Sequence, residues 1–153
     1  ECMGADYLGN IDDEAFFDDI SKIRKKCTSC ELAHALWFVE ENNRCRIEAE
    51  CLDSGRFTDF LEIFNESGND TAVMFLSSYS AENEEKFKAV LAVSMSRKYL
   101  GGSGAIRLCN GYLLAFVPNF MAKGYAETID EIMGAGCTKI MGLRKEASRE
   151  LYV

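Results

Sequence analysis

Apolar residues recur at helical spacing through the first two thirds of the chain. From Ile11 to about Leu100 they fall at the i, i+3, i+4 and i+7 positions that place side chains on one face of an amphipathic helix. We predict five helices there, and their buried faces consist of Phe16, Ile20 and Ile23, then Leu32, Leu36 and Val39, then Phe57, Phe60, Leu61 and Phe64, then Val73, Leu76 and Tyr79, and last Phe87, Val90 and Leu91. Gly68 is expected to end the third helix, because glycine often follows the last helical residue.

Polar residues predict where these helices begin. Helix starts are expected at Asp12, at Thr28 or Ser29, at Asn69 or Asp70, and at Asn83, where short polar side chains can accept hydrogen bonds from free backbone N–H groups. The second helix is predicted to run to about Asp53.

The pattern changes after Leu100. Residues 105–109 and 112–117 are predicted strands, and Asn110-Gly111 between them is a strong signal for a tight hairpin turn. A sixth helix is predicted with Asn119 as its cap and an inward face of Met121, Tyr125, Ile129 and Ile132. A third strand is predicted from Cys137 to Leu143. This order indicates an α+β fold in which helices cover one face of an antiparallel sheet.

Length and composition favour one domain over residues 1–153, mainly helical over 11–100 and built of strand hairpin, helix and strand over 103–145. The net charge of -8 opposes nucleic-acid binding, which needs basic surface. No apolar run reaches the roughly 18 residues of a membrane helix, and no signal peptide is visible. We therefore expect a cytoplasmic protein that engages neither nucleic acid nor membrane.

Candidate chemistry is sparse. Seven cysteines, an odd number, favour reduced structural thiols, although Cys27 and Cys30 form a C-x-x-C pair for which redox and metal roles are weaker alternatives. His34 is the single histidine and has no deducible catalytic partner. The Gly101–Gly104 stretch follows a helix and precedes a strand, so we predict a connector rather than a phosphate-binding loop. No catalytic residue and no metal ligand is predicted.

Four segments resemble the C-terminal portion of bacterial galactokinases, which belong to the GHMP small-molecule kinase superfamily. Residues 12–26 are similar to the family's acidic opening and its L-R-K-K-like segment. Residues 35–44 are similar to its A-x-H-F-x-x-E-N-x-R helix, with Trp37 in place of His. Residues 54–68 are similar to its G-x-F-x-x-F-L and N-E-S-G motifs, and residues 100–119 to its L-G-G-x-G-A-x-R and A-F-V-P-N strands.

The resemblance implies a GHMP-kinase C-terminal-domain-like fold with a ferredoxin-like antiparallel sheet. The family phosphorylates the anomeric hydroxyl of galactose with ATP and Mg²⁺. Its sugar-recognition segment, phosphate loop and catalytic carboxylate lie in an N-terminal domain that this sequence does not contain. The resemblance therefore implies ATP, Mg²⁺ and a galactose-like sugar only for a complete enzyme, and an inactive chain in isolation. The implied partner is that N-terminal GHMP kinase domain. In its absence, a second copy of this chain could bind the apolar face on which that domain would dock.

The sequence departs from the family between Arg107 and Ala115. The family carries a glycine-rich H-G-G-G-F-x-G loop there, whereas this interval is about four residues shorter and keeps one glycine, so little bare backbone remains to approach a ligand. Arg107, Asn110 and Gly111 mark the remnant of the loop, and a structural hairpin role is favoured for them over ligand contact. The open alternatives are an inactive galactokinase-like domain, a non-catalytic sugar-responsive or interaction protein on the same fold, and an unrelated ferredoxin-like small-molecule module.

Overall fold

In the part of the chain that the structure describes, the secondary structure is mainly helical, with one small sheet. The computed structural model describes residues 6–77, 84–109 and 111–142. A 3-10 turn at Leu8–Asn10 precedes α1 (Asp13–Asp18), α2 (Ile20–Arg24), α3 (Ser29–Asp53), α4 (Phe57–Ser77), α5 (Glu84–Leu100), β1 (Ala105–Cys109), β2 (Tyr112–Phe116) and α6 (Asn119–Met133). The predicted α+β class is therefore correct at this coarse level. Within these described ranges, no helix combines the length and the apolar character that a membrane span requires.

The N-terminal elements form a small core of their own. Asp12 caps α1 by accepting from the N–H of Ala15 at 3.1 Å. The predicted first helix is divided at Asp19 into α1 and α2, and its Phe16 and Ile23 pack against Val39 of α3. Of the two predicted caps of α3, Thr28 occupies the cap position, and it exchanges hydrogen bonds with Glu31 in a capping box.

α4 continues through Gly68, so the prediction that Gly68 ends a helix is wrong. A Cβ atom at this position would lie 2.1 Å from the carbonyl oxygen of Ile106 in β1. Glycine is present here because α4 and β1 approach too closely for any side chain. Asn69 and Asp70 are consequently helix-interior residues, and Val73, predicted to be buried, is 64% exposed. The predictions for the side chains of Leu76 and Tyr79 lie outside the described residues.

α5 is formed where a helix was predicted, but its buried face differs from the prediction. Its predicted cap, Asn83, lies outside the described residues. Val93 and Leu100 are buried, whereas Phe87, predicted to face inward, is 53% exposed, and Leu91 is also exposed. Ser96 lies between Val93 and Leu100 on the same buried face and is fully buried. Its hydroxyl shares a 2.8 Å hydrogen bond with the Tyr125 hydroxyl. A serine in the seam breaks the apolar periodicity on which the prediction depended.

The predicted hairpin is confirmed. β1 and β2 pair antiparallel from Ala105↔Phe116 to Cys109↔Tyr112. Alternate residues point to opposite faces of the sheet. Ala105 and Phe116 pack against Phe60 and Phe64 of α4 with Cys51 of α3, and Ile106, Leu113 and Ala115 pack against Val93 of α5 with Tyr125 and Ile129 of α6. The prediction that helices cover one face is therefore wrong, because helices pack on both faces of the hairpin.

The predicted third strand, Cys137 to Leu143, is not formed over residues 137–142, and Leu143 lies outside the described residues. The Asp130 carboxylate holds this segment against the end of α6. It accepts from the Thr138 N–H at 2.8 Å, the Thr138 hydroxyl at 2.7 Å and the Gly136 N–H at 3.0 Å. The chain is thereby folded back onto α6. The helix itself begins at Asn119, so the prediction that Asn119 caps it is wrong. Pro118 occupies the cap position, and no side chain caps the helix.

Candidate functional site

The best-defined polar site surrounds Arg107 in the middle of β1. Its Nη1 atom lies 3.2 Å from Glu48 Oε1 and 3.3 Å from Glu41 Oε1, both on α3. The same nitrogen donates to Ser67 Oγ of α4 at 3.2 Å. The guanidinium carbon also lies 4.5 Å from the ring centroid of Phe64. One side chain of the sheet therefore ties two helices together.

Ser67 and Glu48 are the most buried members of this group. Ser67 is fully buried, and its hydroxyl lies 2.7 Å and 2.8 Å from the two carboxylate oxygens of Glu41. Glu48 is buried on the inner face of α3. Burial raises the pKa of the Glu48 carboxyl, and the Arg107 charge opposes that rise. We call Arg107, Glu41, Glu48 and Ser67 the Arg107 cluster.

Arg44 extends the charge pattern from α3 toward α4. Its guanidinium lies 3.4 Å from Glu41 and 3.7 Å from Glu40, and it pairs with Asp70 of α4. Two arginines thus face four carboxylates at the α3–α4 contact. Burial is the largest cause that raises the pKa of the nearby Cys45 thiol, and Glu41 and Glu48 add to it.

The chemistry available to the Arg107 cluster is structural. Each carboxylate is engaged by a guanidinium, and the Ser67 hydroxyl is fully buried and bonded to Glu41, so Ser67 offers no exposed nucleophile. In the described ranges, no group of three or more His, Cys, Asp or Glu side chains has the geometry of a metal site.

The structure separates the residues that marked the loop remnant. Arg107 belongs to the cluster, while Gly111 lies at the hairpin turn with a φ of 82°, and a Cβ atom there would meet no other atom within 4 Å. Asn110 lies outside the described residues. Because Cys109 pairs with Tyr112, the connection between the strands is as short as the sequence predicts.

Sequence reasoning missed Glu41, Glu48 and Ser67, because polar residues in a helical pattern are usually assigned to solvent. A signal for two of them was present. Glu41 is the E of the E-N-x-R motif and Ser67 the S of N-E-S-G, so the resemblance marks them without giving them a role.

The other candidate groups give less support for a functional site. Cys30 Sγ lies 3.5 Å from His34 Nδ1 on the exposed start of α3, and that ring nitrogen lies 2.8 Å from the Cys30 carbonyl oxygen. The six described cysteines form no disulfide with one another. The Gly101–Gly104 connector lines a shallow pocket of about 250 Å³ beside Arg97, whose guanidinium donates to Asn69.

Comparison with known proteins gives no match to any family model, to any curated protein or to any solved structure.

Proposed function

We propose that this chain is a galactokinase-like C-terminal domain of the GHMP superfamily that keeps the fold-holding contacts of that domain and performs no phosphoryl transfer by itself. The observation that carries the proposal is the Arg107 cluster. It joins Glu41, Ser67 and Arg107, which come from three separate segments that resemble the family, and each occupies a fixed letter of its motif.

The Arg107 cluster supports the proposal because residues from separate motifs contact one another in it. Three unrelated chance similarities would have no cause to bring their defining residues together. The same agreement holds for Asn65, the N of N-E-S-G, whose side chain bonds the backbone of Gly104 and Ile106. Retained motifs that make structural contacts argue for a shared fold and leave activity open.

The hairpin supports the loss of catalysis. Phosphoryl transfer depends on positioning and on charge stabilisation around the nucleotide and its metal. Where the family has its glycine-rich loop, Cys109 pairs directly with Tyr112, and this leaves little backbone to surround a phosphate. Under this proposal ATP, Mg²⁺ and a galactose-like sugar bind only in a complete protein that supplies an N-terminal GHMP kinase domain. A cytoplasmic location belongs to the same proposal.

A chimera tests both parts. Residues 1–153 would replace the corresponding C-terminal part of an active bacterial galactokinase, and folding, galactose binding by calorimetry and ATP turnover would be measured. We expect cooperative unfolding and galactose binding without turnover. The matched variant carries the family's H-G-G-G-F-x-G loop between Arg107 and Ala115 and should recover measurable turnover.

Two results would count against the proposal in different ways. A chimera that fails to fold, with or without the loop, would contradict the proposed relationship to galactokinases. Turnover by the unmodified chimera at the rate of the parent enzyme would keep the kinship and show that the glycine-rich loop is dispensable.

The second candidate is a non-catalytic sugar-responsive or interaction protein on the same fold. Exposed apolar side chains on the hairpin favour it, since Tyr112 is 75% and Leu114 40% exposed. Retained galactose binding by the loop-restored chimera without any turnover would favour this alternative.

A further inference from the structure

The two outer edges of the hairpin differ in whether their backbone groups have hydrogen-bond partners. On β1, Asn65 accepts from the Ile106 N–H at 2.9 Å and donates to the Gly104 carbonyl at 3.1 Å, so these backbone groups point away from β2 and are satisfied by α4. In an antiparallel ladder, directly opposed residues share one orientation. Ala115, which opposes Ile106, therefore directs its own N–H and C=O away from β1, and so does Leu113 opposite Leu108.

The outer edge of β2 is open in the described part of the chain. The sheet has two strands, and no hydrogen bond to the outward backbone groups of Leu113 or Ala115 is formed there. Natural proteins protect such edges with charged residues, proline or bulges. β2 has the sequence Tyr112-Leu113-Leu114-Ala115-Phe116 and contains none of these.

Apolar side chains surround this edge on the α4 side of the sheet. Tyr112, Leu114 and Phe116 alternate onto that face, and the first two are exposed. Phe57, at the start of α4, is 44% exposed, and its ring centroid lies 6.1 Å from that of Phe116. Unpaired backbone groups and exposed apolar side chains thus occur at the same place.

We propose that β2 is a strand-addition surface and that its occupant is β2 of a second copy of this chain. Two antiparallel copies of one strand are related by a two-fold axis, so each outward backbone N–H group of one copy can meet an outward carbonyl group of the other. With the axis at Leu114, the two five-residue strands align completely, and Leu113 of each copy exchanges both backbone hydrogen bonds with Ala115 of the other. The product is a four-stranded antiparallel sheet.

The composition of the strand favours a second copy over a charged peptide. The chain carries a net charge of -8, yet β2 has no ionisable side chain apart from the Tyr112 phenol, so like charges do not oppose pairing along the edge. In this register Tyr112 of one copy lies beside Phe116 of the other, and such aromatic cross-strand pairs stabilise sheets. The proposal does not depend on the proposed kinship with galactokinases.

The edge is short, so the dimer is expected to depend on concentration. Sedimentation equilibrium of the complete chain over a range of concentrations measures the association. Leu114 faces its own copy at the two-fold axis, so Leu114→Lys and Leu114→Glu each place like charges opposite one another and should raise the dissociation constant about tenfold or more. An equimolar mixture of the two variants should restore association, because opposite charges then meet.

Controls separate the surface from folding. Val73→Lys changes a more exposed apolar residue on α4 and should leave the dissociation constant unchanged. Urea unfolding of each Leu114 variant is needed because Arg107 lies opposite this position in the hairpin. Independently of any variant, hydrogen exchange of the wild-type Leu113 and Ala115 amides should slow as protein concentration rises.

Three outcomes would overturn the proposal. These are a monomer at every concentration, a dimer that Leu114→Lys leaves intact while the fold is retained, or slow exchange of the Leu113 and Ala115 amides that is independent of concentration. The last result would mean that another segment of the same chain covers the edge.

Discussion

The side chain of Asn65 takes the place of a neighbouring strand beside Ile106. Its amide oxygen accepts from the Ile106 N–H at 2.9 Å while its amide nitrogen donates to the Gly104 carbonyl oxygen at 3.1 Å. A helix side chain thus satisfies two backbone groups that a third strand would otherwise satisfy. This explains how a two-stranded hairpin is held in a mainly helical protein, since isolated hairpins are marginally stable.

Replacing Asn65 by Ala should therefore destabilise the whole domain. The substitution removes both hydrogen bonds and leaves the partly buried Ile106 N–H without its partner, which costs about 1–3 kcal/mol. Urea unfolding followed by circular dichroism measures the change. Glu62→Ala, on the exposed side of the same helix, should alter the free energy of unfolding by less than about 0.5 kcal/mol. Equal effects of the two substitutions would contradict this role.

Local signals in the sequence predicted the elements better than their packing. The hairpin was predictable because Asn110-Gly111 specifies a turn within a few residues, and Thr28 and Glu31 specify the start of α3 in the same way. The continuity of α4 through Gly68 was not, because the reason for that glycine is a backbone carbonyl almost forty residues further along the chain. Long-range close approach leaves no local pattern.

The Arg107 cluster shows the same difference between what local sequence signals predict and what long-range packing determines. Arg107 was identified as a residue of interest, but its partners come from two helices, and helical periodicity assigns Glu48 and Ser67 to solvent or to no role. A buried carboxylate in a helix becomes intelligible only when the guanidinium that compensates it is known. The motifs contain Glu41, Ser67 and Arg107 without giving a role to the first two, and Glu48 lies outside them. Their contacts are seen only in the three-dimensional arrangement.

Removing the Arg107 charge tests the cluster. Arg107→Met keeps the length of the side chain and its contact with Phe64 but removes the guanidinium nearest to Glu48. Glu41 loses the same partner and keeps only its ion pair with Arg44. We expect a loss of about 2–4 kcal/mol at neutral pH, near the lower end of values for broken buried pairs because the arginine is partly exposed. Chemical unfolding measures the loss.

The pH dependence of the same variant gives a second readout. Burial already raises the pKa of the Glu48 carboxyl above its ordinary 4.5, and Arg107 is the first of the charges that hold it down. Without Arg107 that pKa should rise further. A raised folded-state pKa means that the folded protein binds the proton more readily than the unfolded chain, so the deficit should shrink as the pH falls from neutral toward 4.5. Glu48→Gln in the same background should remove this part of the pH dependence.

Gly68 and Gly124 form a matched pair of helical glycines. A Cβ at Gly68 would meet the Ile106 carbonyl at 2.1 Å, whereas a Cβ at Gly124 would meet the Tyr99 hydroxyl at 2.6 Å, at the end of a side chain that can move. Alanine is favoured over glycine inside helices by about 1 kcal/mol. Gly68→Ala should nevertheless destabilise the protein by about 1–3 kcal/mol through displacement of α4 from β1.

Gly124→Ala should be close to neutral by comparison, because the helical preference offsets a small shift of Tyr99. Thermal and urea unfolding of both variants provide the comparison. A Gly68→Ala variant as stable as the wild type would show that α4 and β1 do not approach as closely as the structure describes.

The segment after α6 should detach from the helix at acid pH. Hydrogen bonds from the Thr138 side chain, and next from Cys137, lower the pKa of the Asp130 carboxyl from 3.8 to about 2. A depressed folded-state pKa stabilises the fold above the ordinary value, and that contribution is lost as the pH falls from about 4 through about 2. The Thr138 amide resonance should titrate with a midpoint near pH 2 in wild-type protein and not at all in Asp130→Asn. Glu127→Gln, on the same helix and 3.8 Å from Lys123, should leave the titration unchanged, and a midpoint near 3.8 would show that Thr138 does not hold the carboxylate.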